Sequence, residues 1–142
     1  MTTVADVNVL LPVLVADHAF HAVAWRWWER QPEASVGLCL LSRLGTLRTL
    51  THPRVMGGHA VPPAEALAAW DTLVADPRCV WLDAGNGHDT FFRQFTVSRQ
   101  ASPNLWTDAW LAALAASGGC RLTSFDAGFA SFGLTDFERL KP

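Results

Sequence analysis

LWTDAWLAALAASGGCRLTSFD, residues 105–126, decides how the chain is read. Its first half has the apolar recurrence of a buried helix, introduced by Pro103 and expected over Leu105–Ser117. Gly118-Gly119 supplies the stop, because glycine accepts the left-handed backbone that ends helices. Cys120–Ser124 is then short and apolar enough to be a buried strand, and it ends at Phe125-Asp126. A helix feeding a buried strand with a carboxylate just past its end is the signature of a parallel sheet. In such sheets chemistry gathers beyond the carboxyl ends of the strands.

Working outward, the same alternation recurs. Residues 3–11, with VADVNVLL at their heart, read as a buried strand broken at Pro12, and a helix is expected from His18 to Arg30, stopped by Pro32. Trp25 and Trp28 share one face of that helix, with Trp27 pointing elsewhere. Ala34–Leu38 is a second strand and Leu40–Leu50 a second long helix. The Gly- and Pro-rich THPRVMGGHAVPP reads as a loop, and Pro63–Val74 as a helix with Glu65 in its first turn. Cys79–Leu82, His88–Gln100 and an extended piece near Leu134–Asp136 complete a strand, a helix and a final edge. The expectation is a three-layer α/β/α domain over residues 1–142, built on a short, mainly parallel central sheet.

Composition narrows the function classes. Half of the 142 residues are hydrophobic and 17% are charged, a balance that points to apolar surface covered by a second copy or a partner. A net charge of −2 excludes a globally basic nucleic-acid binder but leaves room for a local basic groove. Ten of the eleven cations are Arg, a bias that genomic base composition explains as well as phosphate recognition does. Cys39, Cys79 and Cys120 sit in apolar runs without Cys-x-x-Cys spacing, so buried thiols in a reducing cytoplasm are expected. The N-terminus lacks the basic segment of a secretory signal, and no apolar run approaches the roughly 20 residues of a membrane span.

Three aspartates remain as the chemical signal: Asp6, Asp108 and Asp126, each where a strand or helix starts or stops. Any one alone is more often a turn former or helix cap. Three together would suit a hard cation, because Mg²⁺ and Mn²⁺ choose oxygen ligands. His18, His21 and His88 have no spacing that joins them to a Cys or carboxylate ligand of a zinc site, and neither phosphate-loop pattern occurs. His52 and His59 flank the PRVMGG loop, where an ordinary polar surface explains them as well as RNA contact does. Asp83, Asp89 and Asp136 are expected to serve as caps or solvated charges.

Asp6-Val7-Asn8, Thr107–Ala115 and Thr123-Ser124-Phe125-Asp126 resemble three motif blocks of the PIN-domain nucleases, and the whole pattern is most similar to VapC-type toxins of toxin–antitoxin pairs. The resemblance includes the loop Thr51–Gly58 and runs over nearly the whole chain. It implies a Mg²⁺- or Mn²⁺-dependent endoribonuclease acting on transfer or ribosomal RNA. It also implies neutralisation by a VapB-type antitoxin, a toxin homodimer and a cytoplasmic location. Asp6, Asp108 and Asp126 match catalytic, metal-binding positions; Asn8 and Ser124 match supporting polar positions.

One departure stands out. Such nucleases carry a Glu early in the second long helix, whereas this chain has no acid between Glu33 and Glu65. Arg43 falls at that place or within one residue of it. Two readings stay open: a guanidinium among the carboxylates or on the RNA phosphate, or an ordinary solvent-facing arginine. The first carries the alternative function, a catalytically impaired PIN-fold protein that binds antitoxin or RNA without efficient cleavage.

Overall fold

The computed structural model describes residues 1–142. Five short strands, β1 (Thr3–Ala5), β2 (Val36–Leu38), β3 (Cys79–Trp81), β4 (Arg121–Ser124) and β5 (Phe137–Arg139), form one sheet in the order β3-β2-β1-β4-β5. Every pairing is parallel, so the expected mainly parallel sheet is wholly so. The helices are α1 (Val7–Leu14), α2 (His21–Glu29), α3 (Leu40–Leu50), α4 (Pro53–Met56), α5 (Pro63–Ala75), α6 (His88–Thr96) and α7 (Leu105–Gly118).

Alternation along the strands explains the layers. Ala5, Val36 and Leu38 pack into one core with Val9 and Leu10 of α1, Trp27 and Trp28 of α2, and Trp70 of α5. Val4 and Leu122 point the other way, against Leu111, Ala112 and Ala115 of α7 and against Phe129. Successive side chains of a strand face opposite sides, so three-residue strands suffice to hold both cores together. The small residues of α7 let that helix lie close on the sheet. Each fully buried leucine, such as Leu10 or Leu122, contributes about 1.5–3 kcal/mol.

The N-terminal stretch departs from the sequence reading. Residues 3–11 are not one strand: β1 ends at Ala5 and α1 begins at Val7, running through Pro12. Val7, Val9 and Val13 favour extended backbone locally. Burial of Val9, Leu10, Leu11 and Val13 between sheet and helices overrides that preference. Pro12 removes one helical hydrogen bond but leaves its own carbonyl free for His21 Nδ1, 2.7 Å away.

Smaller corrections follow the same logic. The expected loop 51–63 contains α4, which starts because Pro53 occupies its first turn and His52 Nδ1 accepts from the Arg54 amide. A 3-10 turn over Gly57–His59 follows it. The last strand lies at Phe137–Arg139, one step beyond the expected Leu134–Asp136. On α2 the buried face is Ala24, Trp27 and Trp28, while Trp25 is 41% exposed. Trp27, expected to point away, is almost fully buried, and its indole N–H donates to Glu138 Oε1 at 2.9 Å.

Strand order places a topological switch at β1. The chain leaves β1 toward β2 on one side and returns to β4 on the other, opening a crevice beyond their carboxyl ends. Asp6 follows β1 directly, and Phe125-Asp126 follow β4.

Candidate active site

A cavity of about 520 Å³ occupies this crevice, and Asp6, Asn8, Asp108 and Asp126 all line it. Asp6 is the residue before α1, the position where an aspartate ordinarily caps the helix. Here its side chain makes no capping bond. One carboxylate oxygen, Oδ2, instead accepts from Ser124 Oγ at 2.8 Å. Asp108 stands in the first turn of α7, where the helix dipole favours a negative charge. Asp126 caps the 3-10 turn Ala127–Phe132 through Oδ1, which accepts from Gly128 N at 2.7 Å.

Ser124 is the hub of the arrangement. Fully buried, its hydroxyl gives its proton to Asp6 and accepts from Asn8 Nδ2 at 3.0 Å and from the Asp126 amide at 2.9 Å. Asn8 is fixed in turn, since its Oδ1 accepts from the Phe125 amide at 3.2 Å. One donor and two acceptor positions are thus used, and the end of β4 is tied to the start of α1.

Burial and neighbouring carboxylates both act on the acids of this cavity. Burial pushes the Asp6 carboxyl up, only partly offset by the Ser124 hydrogen bond and the nearby amides of Val7 and Asn8; Asp126 raises it further. Desolvation, then the charges of Asp6 and Asp126, lift Asp108 from an ordinary 3.8 to about 6. Like charges gathered in a partly desolvated space disfavour their own ionised forms.

That donor set tests its own fit for a cation. All the candidate donors are oxygens, as Mg²⁺ and Mn²⁺ require, and the mutual repulsion of the carboxylates is what a bound cation would relieve. No three His, Cys, Asp or Glu side chains are close enough to close around an ion. An open arrangement of this kind still suits Mg²⁺, which is commonly held by one or two carboxylates and keeps several waters.

Arg43 lies elsewhere. It is exposed on α3, does not line the cavity, and takes part in no ion pair. The reading that places its guanidinium among the carboxylates is not what the structure adopts. The cavity-facing side of α3 is Leu41, Leu44, Gly45 and Arg48, at the spacing of one helix face. Arg48 carries no motif that marks it in the sequence, although the helical register starting from Leu41 points to it. On the facing wall, Asn104 and Thr107 accompany Asp108, with Thr107 Oγ1 donating to the Asn104 carbonyl at 3.2 Å.

The other acids behave as ordinary structural charges. Asp83 accepts from the Trp81 indole, Asp89 pairs with Arg93 and Asp136 with Arg121, and none of the three lines the cavity. His88 is buried with Nε2 3.0 Å from the Trp110 carbonyl, a packing role.

A three-layer fold with an acidic crevice at its switch point defines an α/β domain of the kind that places its chemistry at strand ends, and comparison gives it a family. Residues 3–133 match the PIN domain, and the chain belongs to that family. Ribonuclease VapC41 of Mycobacterium tuberculosis is 31% identical over 133 residues, spanning 90% of this chain and 91% of the relative. Ribonuclease VapC43 of the same organism is 35% identical over 129 residues, 89% and 87% of the two chains. Among solved structures, VapBC2 from Rickettsia felis, bound to a promoter DNA fragment, superposes with a TM-score of 0.70. That match covers 99% of this chain and all of the other at 8% identity. VapC20 of M. tuberculosis, described as a Sarcin-Ricin loop cleaving toxin, gives 0.67 at 21% identity over 95% and 98% of the chains. Identities this low establish the shared fold. The relatives above 30% place the chain with the VapC ribonucleases.

Proposed function

We propose that the protein is a divalent-cation-dependent endoribonuclease toxin, cutting RNA phosphodiester bonds in the cavity between α1, α3 and α7. The observation that carries this is the gathering of the carboxylates of Asp6, Asp108 and Asp126 in one cavity at the sheet's switch point, where burial and neighbouring carboxylates hold the Asp6 and Asp108 carboxyls above their ordinary range. Asp6, Asp108 and Asp126 are the candidate groups for Mg²⁺ or Mn²⁺, one or two of them holding the ion directly and the rest meeting it through its waters. When bound, the ion supplies activation of water and neutralisation of charge developing on the phosphate. Ser124 and Asn8 do the orienting, by locking the Asp6 rotamer and the backbone that carries Asp126. Leu11, Leu41 and Leu111 wall the cavity and lower its dielectric.

Partner binding is part of the same reading. Leu40 and Leu44 of α3 and Val55 of α4 are 53%, 55% and 61% exposed, apolar area that a VapB-type antitoxin tail or a second toxin copy would cover. The substrate is RNA of the transfer or ribosomal class and the working form a cytoplasmic homodimer. No helix is long and apolar enough to cross a membrane. The impaired-enzyme alternative loses the guanidinium that favoured it, since Arg43 is exposed outside the cavity.

Inducible expression in a bacterial host tests the proposal. Wild type should arrest growth, and Asp108→Ala should not while accumulating to the same level. Equal arrest by both proteins would refute the site assignment.

A further inference from the structure

We infer that Arg48 is the RNA-phosphate clamp of this cavity, a substrate-positioning residue that grips the strand beside the bond being cut. The inference rests on the ribonuclease reading above and adds to it the residue that compensates the substrate's charge. Arg48 is the only cationic side chain among those lining the cavity, which otherwise carries the carboxylates of Asp6, Asp108 and Asp126. A polyanionic strand entering such a space meets repulsion from the carboxylates and gains from a fixed positive contact. Arginine suits it, because the planar guanidinium binds phosphate oxygens in pairs.

The packing sets where that contact falls. Gly45 lets α3 approach α1 so closely that a Cβ there would lie 2.7 Å from Val7 Cγ2, beside Asp6. Arg48 follows Gly45 on the same face by three residues, about 4.5 Å along the helix axis. Carboxylates and guanidinium therefore line one cavity, with the Arg48 backbone about one helical turn along α3 from its close approach to α1.

The guanidinium is also uncommitted. None of the four ion pairs in the fold involves Arg48, and its side chain makes no hydrogen bond. Its other evident role is to complement the dipole in the last turn of α3. That role needs only a positive charge near the helix end and predicts a change in stability, not in RNA binding.

Fluorescence anisotropy with a labelled 12-nucleotide single-stranded RNA separates these roles. The RNA is kept intact by EDTA and titrated across salt concentrations with wild type, Arg48→Ala, Arg48→Lys and Arg30→Ala. Arg30 is exposed at the end of α2, away from the cavity lining, and controls for net charge. Expected for Arg48→Ala is about ten-fold weaker binding, with the slope of log K against log salt reduced by about 0.7, one phosphate contact on a single strand. Arg48→Lys should restore the slope but not all of the affinity, and Arg30→Ala should match wild type. In cleavage assays the Arg48→Ala defect should fall on KM more than on kcat. An affinity and slope for Arg48→Ala equal to those of Arg30→Ala would overturn the clamp while leaving the ribonuclease reading intact. So would an unchanged RNA slope accompanied by lost binding of the antitoxin protein, which would move Arg48 to a protein interface. If wild type neither binds nor cuts RNA, the ribonuclease reading fails and the clamp with it.

Discussion

Replacing Asp108 by Asn should make the cation-free protein more stable while abolishing its activity. The Asp108 carboxyl titrates near 6 in the fold against 3.8 ordinarily, because it is partly desolvated and faces Asp6 and Asp126. At about 1.4 kcal/mol per pH unit, that difference corresponds to at most about 3 kcal/mol of strain in the ionised form. Asp108 is partly solvated, and screening reduces the figure to about 1–2 kcal/mol. The folded pKa lies above the unfolded one, so stability falls as pH rises from about 4 to about 6 and the full penalty persists above that. The amide of the Asp108→Asn variant carries no charge and escapes it. For a chain of this size about 1–2 kcal/mol corresponds to roughly 3–6 °C in Tm. Thermal melts followed by circular dichroism in EDTA should show Asp108→Asn above wild type by that margin at pH 7 and level with it at pH 4. Adding Mn²⁺ at pH 7 should raise wild type and narrow the gap. A variant no more stable than wild type at pH 7, or one equally shifted at both pH values, would refute the reasoning.

Other perturbations probe the scaffold around the site. Ser124→Ala removes the hydroxyl that satisfies Asp6, Asn8 and the Asp126 amide, and should cost about 1–3 kcal/mol in urea unfolding. The same change deprives the Asp6 carboxylate of its stabilising donor, so the acid limb of the pH–activity profile should move to higher pH. Gly45→Ala places a methyl group against the stiff Val7 side chain and should destabilise by about 1–3 kcal/mol, with loss of cleavage as α3 is pushed off α1. Trp27→Phe breaks the bond to Glu138 and should cost about 1–2 kcal/mol by chemical denaturation, with the cleavage rate per folded molecule unchanged.

The sequence is most legible where local rules and global packing agree. The helix Leu105–Gly118, its glycine stop and the strand leading to Asp126 lie within one or two residues of expectation, because apolar spacing and turn chemistry say the same thing there. The start of α1 is not legible. Three valines and a proline argue against helix, and only the burial of its apolar residues against the sheet and its neighbouring helices reverses that preference. The helical reading of the tryptophans fails for a related reason. Spacing alone does not say which stripe of α2 faces the sheet, and Trp27 is claimed by a glutamate 111 residues away.

In the site, the three aspartates are readable from their places at strand and helix ends, and the structure brings them to one cavity. What joins them is not readable. The Ser124 network spans residues 6 to 126, and no local pattern reports which lone pairs meet. Arg43 draws attention because an acid is missing near it. Both arginines of α3 are exposed, but its register puts Arg48 on the rim of the cavity and Arg43 outside it, a difference that helical phase decides.

If the carboxylates of this cavity cut RNA with the help of a divalent cation, purified protein should show it directly on end-labelled cellular RNA. Cleavage is followed in MgCl₂ or MnCl₂ and in EDTA, with Asp6→Ala and Asp126→Ala alongside. Wild type should make discrete cuts in either metal and none in EDTA, and neither variant should cut at equal folded concentration. Undiminished cleavage in EDTA, or wild-type cleavage by Asp6→Ala, would contradict a cation-dependent carboxylate site.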